Sequence, residues 1–180
     1  MARRQRPASD RPMRFGYADP PYPGCGWRYP ENAEVDHADL IGRLVADFPD
    51  GWALSTSSPA LRDVLPLCPP AVRVLAWVKP FCAWKAHVTI AHAWEPVIFW
   101  GGRRRPRNST VRDWHAEPIT LRRGVVGAKP GGFCHWLLDV FNVQPGDVVV
   151  DLFPGSGAMT RTAQQRCQPA AQYRLDLTCT

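Results

Sequence analysis

The chain is 180 residues long and 45% hydrophobic, enough for one domain with a sizeable core. It contains no apolar run of membrane-spanning length and no apolar signal core behind its arginine-rich start, so a cytoplasmic protein without membrane association is expected. The formal charge is +6 and nineteen of the 22 basic residues are arginine, the side chain suited to bidentate contact with phosphate and guanine, so a polyanionic partner is expected, nucleic acid ahead of membrane.

The positive charge is concentrated. Residues 1–14 hold five arginines against Asp10, and residues 101–128 hold seven against Asp113 and Glu117. The six cysteines form no C-x-x-C pair, which argues against a disulfide framework and against structural zinc.

Residues 1–13 read as a basic flexible arm. Arg14 to Ala18 is a short buried strand, stopped by Asp19-Pro20-Pro21-Tyr22 because consecutive prolines fix φ and remove amide donors. The turn presents a carboxylate, carbonyls and an aromatic ring at a strand's C-terminal edge, where open α/β sheets bind ligands. Residues 23–30 are too rich in glycine and proline for regular structure and read as a flap beside that turn.

Residues 36–48 read as a helix with Leu40, Ile41, Leu44, Val45 and Phe48 on one face. Trp52 to Ser55 is a strand, and Ser57-Ser58-Pro59 opens a short helix to about Leu65. Val72 to Val78 is a buried strand ended by Lys79-Pro80, and Pro96 to Trp100 is the next, ended by Gly101-Gly102. His87 and His92 between them, with His37, His115 and His135, lack metal-ligand spacing, so no metal is expected. Residues 101–128 include Arg103-Arg104-Arg105-Pro106-Arg107, have little apolar periodicity and read as an exposed basic excursion.

Lys129-Pro130-Gly131-Gly132 leads into a helix with Phe133, Trp136, Leu137, Val140 and Phe141 on one face. Val148 to Phe153 is apolar on both faces, as in the middle of a parallel sheet. A glycine turn, a helix to about Cys167 and a last strand, Tyr173 to Leu177, complete a βαβ unit with a right-handed crossover. The expected fold is α/β, with a mostly parallel sheet flanked by helices.

The turn Asp151-Leu152-Phe153-Pro154-Gly155-Ser156-Gly157 sits where strand meets helix, and glycines there permit close approach of a ligand to the backbone. It lacks the third glycine of a dinucleotide fingerprint and the G-K-[ST] of a P-loop. Together with D-P-P-Y at Asp19–Tyr22, it resembles the S-adenosylmethionine-dependent amino-methyltransferases of DNA, which modify adenine N6 or cytosine N4. The catalytic motif precedes the cofactor motif, which is similar to the circularly permuted β order of that family. The W-V-K-P and A-W-E-P-V-I-F-W-G-G stretches (Trp77–Pro80 and Ala93–Gly102) are similar to compact bacteriophage methyltransferases.

This resemblance implies a Rossmann-like methyltransferase domain over residues 14–180, in three parts. Residues 14–80 would be the catalytic half, 81–128 a target-recognition insert and 129–180 the cofactor half. Asp19, Pro20, Pro21 and Tyr22 would hold a base flipped out of double-stranded DNA. Asp151, Phe153, Gly155 and Gly157 would shape the S-adenosylmethionine pocket, with Lys129 and Pro130 near its methionine end and Asp176 on the ribose. Arg103, Arg104, Arg105 and Arg107 would recognise DNA, supported by Arg112, Arg122 and Arg123. The enzyme would act as monomer or homodimer on adenine N6, because the first motif residue is Asp where cytosine-N4 enzymes more often carry Ser. The alternatives are a cytosine-N4 enzyme, a methyltransferase for RNA or protein glutamine, and an inactive nucleic-acid-binding relative. Motif order argues against the RNA and protein enzymes.

Overall fold

A computed structural model describes residues 11–28, 34–81, 88–120 and 128–168. Its centre is a six-stranded sheet of β1 (Arg14–Ala18), β2 (Gly51–Ser55), β3 (Arg73–Val78), β4 (Trp94–Gly101), β5 (Trp114–Ala116) and β6 (Val148–Asp151), in the order β5-β3-β4-β2-β1-β6. β1 pairs in parallel with β2 and with β6, and β3 pairs in parallel with β5, whereas β4 is antiparallel to both its neighbours. Five strands therefore run one way and β4 opposes them, giving the mostly parallel α/β architecture expected from the sequence. The shared C-terminal edge of those five strands also receives the start of β4. We call it the upper edge; the lower edge holds their N-termini and the end of β4.

Two apolar clusters cover the two faces. On one face α1 (His37–Asp47) packs Leu40, Ile41 and Leu44 with Phe48 against Trp52, Leu54 and Ile98. Asp36 caps α1, its carboxylate accepting from the Ala38 and Asp39 amides at 2.9 and 3.0 Å, an arrangement worth about 1 kcal/mol. On the other face α3 (Gly131–Phe141) and α4 (Ala158–Cys167) cover β1 and β6. α3 docks through aromatic rings: Phe141 lies 5.0 Å from Phe15 and 5.1 Å from Phe99, and Phe133 lies 5.4 Å from Trp77. Each such ring removed from water is worth about 1.5–3 kcal/mol, so this seam fixes α3 and the loop that leads into it.

Several sequence expectations shift. The segment at 57–60 is a turn, and α2 (Leu61–Val64) begins after it without a side-chain cap, continuing as a 3-10 turn at Leu65–Leu67. β4 starts at Trp94, two residues early, because backbone pairing extends past Pro96. The basic excursion at 101–128 is not wholly irregular: β5 adds an edge strand to β3. Among the described residues β6 is itself an outer strand. Its valine run reflects covered faces, with Val149 packed on one cluster and Val150 on the other, not neighbours on both edges. Residues 24–28 contain one 3-10 turn, Gly26–Arg28, and the Glu34 carboxylate accepts from the Gly24 and Gly26 amides. The predicted strand at 173–177 lies outside the described residues.

Candidate active site

The upper edge gathers residues from four separate segments. Asp19 to Tyr22 follow β1, Lys79 follows β3, Glu95 lies near the start of β4, and Lys129 ends the loop before α3. Their side chains form one ionic network. Lys129 Nζ donates to both oxygens of Asp19 at 2.7 Å and lies 3.4 Å from Glu95. Lys79 Nζ donates to Glu95 at 3.0 Å, and the Tyr22 hydroxyl donates to the other Glu95 oxygen at 2.9 Å. Tyr22 also stands 3.5 Å from Asp19, and both lysines lie over the Trp77 ring, 5.6 Å from its centroid. Two carboxylates and two ammonium groups balance each other in a largely buried cluster. Removing any one would leave an uncompensated charge.

Burial pushes the Asp19 carboxyl above its ordinary range; Lys129 opposes the rise while Glu95 and Asp151 add to it. Burial also works against ionised Glu95, but Lys129 and Lys79 outweigh it and hold that carboxyl below the usual range. For Lys129, burial is likewise outweighed, here by Asp19 and Glu95, and the ammonium is held more firmly than usual. The Tyr22 hydroxyl is pushed well up by burial and by both carboxylates, so it remains a donor.

The glycine turn stands next to this network. β1 and β6 are neighbours with Tyr17 opposite Asp151, and the Leu152 amide donates to the Tyr17 carbonyl, so the two motifs from opposite ends of the chain share one edge. Gly155 and Gly157 have φ of +44° and +70°, left-handed values that disfavour a side chain, and Gly157 opens α4. A Cβ on Gly155 would meet only the Phe153 carbonyl oxygen, at 3.8 Å, so the turn leaves room beside its backbone. Asp151 holds the Thr160 hydroxyl on one oxygen at 2.9 Å, while its other oxygen is buried with no hydrogen-bond partner. Burial raises the Asp151 pKa. A buried carboxylate oxygen without a partner suits a cationic or donor group.

The predicted DNA-recognition residues are elsewhere. Arg103 follows β4, whose end is at the lower edge: Gly101 pairs with Gly51, and the Arg103 amide donates to the Phe141 carbonyl at the end of α3. Its side chain is buried and paired with Asp147 at 2.5 Å, which removes Arg103 from the surface. The Arg104 carbonyl is tied to Asn142 at that same edge, Arg105 donates to Ser109, and Arg107 is exposed. The run expected to recognise the target therefore lies at the opposite end of the strands from Asp19. Asp176, Arg122 and Arg123 lie outside the described residues.

Sequence reasoning did not single out Lys79 and Glu95. One signal was present: Asp19, Lys79, Glu95 and Lys129 each precede a proline. The residue before proline is driven to extended backbone, which carries its side chain off the end of a strand. Glu117 shares the pattern and the edge; its carboxylate accepts from the Phe133 amide at 2.8 Å and so anchors the start of α3 just after Lys129.

No protein-family model and no curated protein sequence matches the chain. Solved structures do. The complex of M1.HpyAVI with SAM superposes with a TM-score of 0.60 at 15% identity, covering 87% of this chain and 79% of that one. TTHA0409 from Thermus thermophilus, assigned as a DNA modification methylase, gives 0.56 at 16% identity over 89% of this chain and 81% of its own. The chain shares the fold of these two structures.

Proposed function

We propose that the protein is an S-adenosylmethionine-dependent DNA methyltransferase acting on the exocyclic amine of adenine. The observation that carries this reading is the convergence of Asp19-Pro20-Pro21-Tyr22 with Asp151-Leu152-Phe153-Pro154-Gly155-Ser156-Gly157 on adjacent strand ends. The likeness in fold to M1.HpyAVI, solved with SAM, and to TTHA0409 supports it. The motif order supports a permuted arrangement, and Asp at position 19 supports adenine over cytosine.

The cofactor-side residues fit the group. Asp151, through its unpaired oxygen, would receive a donor of S-adenosylmethionine, and Phe153, Gly155, Gly157 and Pro130 would shape the pocket. When bound, S-adenosylmethionine supplies an electrophilic methyl on sulfonium. The chain's own task is to present a nitrogen to it. An aromatic amine has its lone pair conjugated with the ring, so holding both N–H bonds turns that pair toward the methyl, an effect of position more than of basicity. Asp19 and the Pro20 carbonyl are the two acceptors. In methyl transfer the nitrogen pair would take the methyl while the C–S pair stays on sulfur, and Asp19 would receive the nitrogen proton and pass it to solvent. The raised pKa of Asp19 makes it a better receiver than an ordinary carboxylate.

Both oxygens of Asp19 hold Lys129, which competes with the amine for their lone pairs, so the amine is held more firmly as Lys129 withdraws. Glu95, 3.4 Å from Nζ, is the waiting counter-ion. Glu95 is thus a positioning residue, and Lys129 moves between the two carboxylates. Tyr22 would stack on the base, worth about 1–3 kcal/mol against the unstacking cost of flipping. The test is modification-aware sequencing of DNA from cells expressing the protein beside an Asp19→Ala control. Methylated adenine that depends on Asp19 is expected; its absence would refute the activity.

A further inference from the structure

The arginine-rich segment begins at the opposite end of the strands from Asp19, and it is not alone there. The Arg11 side chain is held at the lower edge by Asp50 and Arg103 by Asp147, while Arg14 and Arg73 start β1 and β3. Arg73 pairs with Asp113. After these pairings Arg104 and Arg107 have no acidic partner among the described residues. Arg105 has only the Ser109 hydroxyl. Among the described residues the upper edge differs: Lys79 and Lys129 are neutralised within the network, and Glu34, Asp36 and Asp151 lie at the same ends of the strands.

Distance separates the two surfaces. β4 spans them with eight residues, roughly 25 Å at about 3.4 Å each. DNA bends smoothly over a persistence length of about 150 base pairs, and even a turn of 40–90° over 20–30 base pairs costs roughly 1–6 kcal/mol. A duplex with its base in the upper-edge site would have to reverse direction within a few helical turns to lie on Arg104, Arg105 and Arg107.

We infer that Arg104, Arg105 and Arg107 form a second, sequence-independent duplex-binding surface, which holds a DNA segment other than the one at the upper edge. It rests on the DNA reading only for the identity of the polyanion. Arginines in an exposed turn suit phosphate oxygens, and a surface without a groove-filling element reads no sequence. The Arg103–Asp147 pair and the Asn142 contact fix the base of the turn, so the arginines are presented on a rigid support.

The experiment is equilibrium binding of a labelled nonspecific 16-base-pair duplex to the full chain, with stoichiometry and salt dependence measured. Two duplexes per chain are expected at low salt. The triple variant R104A/R105A/R107A should bind one, losing the site whose log K falls with log salt by about 0.9 per phosphate contact. Arg107→Glu alone, at an exposed position without a described acidic partner, should weaken that site while circular dichroism stays native. One duplex bound by wild type with unchanged salt dependence in the triple variant would reduce the surface to a solvated face. Loss of all binding in the triple variant would make it the sole duplex site and overturn the inference equally. Methyl transfer from tritiated S-adenosylmethionine, measured separately on wild type, tests the activity, and its failure would leave the stoichiometry result intact.

Discussion

Replacing Glu95 by Gln isolates its charge from its shape. In the folded chain Glu95 faces Lys79 at 3.0 Å and Lys129 at 3.4 Å. At an effective dielectric of about 20 these are gross attractions of about 5.5 and 4.9 kcal/mol, largely offset by desolvation. Glu95→Gln leaves two ammonium groups facing one carboxylate, and breaking such a buried balance costs about 3–5 kcal/mol of stability. On the proposed mechanism it also removes the counter-ion toward which Lys129 withdraws. Closing the gap from 3.4 Å to the 2.7 Å it has on Asp19 gains Lys129 about 1.3 kcal/mol at that dielectric, so turnover should fall about tenfold.

Stability and catalysis separate in the double variant Lys79→Met with Glu95→Gln. Removing a balanced pair restores neutrality, so the melting temperature should recover most of its loss. Turnover should not recover, because Lys129 still has only Asp19. The assay is single-turnover methyl transfer to unmethylated genomic DNA, with S-adenosylmethionine affinity measured by calorimetry as a control and expected to stay near wild type. Recovery of turnover with stability would show that Glu95 only balances charge and would refute the movement of Lys129.

Asp151→Asn should weaken S-adenosylmethionine binding about tenfold or more, because a charge-assisted hydrogen bond is worth about 1.5–3 kcal/mol, yet leave thermal stability equal or higher since a buried unpaired carboxylate oxygen is relieved; calorimetry and melting curves check both signs. Asp19 must be ionised to accept an N–H, and burial raises its pKa from 3.8, so kcat/KM should rise with pH through an acid limb above that value; a limb at or below 3.8 would contradict the geometry. Asp50 is depressed below 3.8, chiefly by its hydrogen bond to Arg11, so its contribution to stability is present above the ordinary carboxylate range and lost as pH falls through the lowered value. Asp50→Asn should therefore lower the melting temperature at pH 7 and flatten its decline in acid.

What was legible in the sequence was what local pattern determines. Two prolines end β1, a capping Asp starts α1, and ring spacing defines the buried face of α3, so these elements stand close to where the residues predict. The two motifs could be read because each is contiguous. The ionic network could not, because Lys79 and Glu95 are brought to Asp19 by the antiparallel insertion of β4, a pairing that local pattern does not encode. The same reversal sets where the arginine run stands. Because β4 is antiparallel, it begins beside Asp19 and ends at the lower edge, and the chain that follows it starts there. Charged residues before proline would have supplied a partial signal, since Asp19, Lys79, Glu95, Glu117 and Lys129 share it at the upper edge. Arg11 and Arg105 share it at the lower edge, so the pattern marks element ends without telling which end.

The neutrality of the network bears on how a polyanion reaches it. A phosphate approaching two carboxylates and two ammonium groups gains little net attraction, whereas a neutral base amine enters without unbalancing the cluster. On the proposed reading, attraction for a DNA backbone would reside in exposed arginine outside the site, and the chemical step would be insulated from it. Salt should accordingly act on association and not on the reaction. Between about 50 and 200 mM salt, KM for DNA should rise steeply, as counter-ion release requires, while kcat at saturating DNA stays within a factor of about two. A kcat that fell in parallel with affinity would mean that a phosphate, and not only a base, is held within the network during transfer.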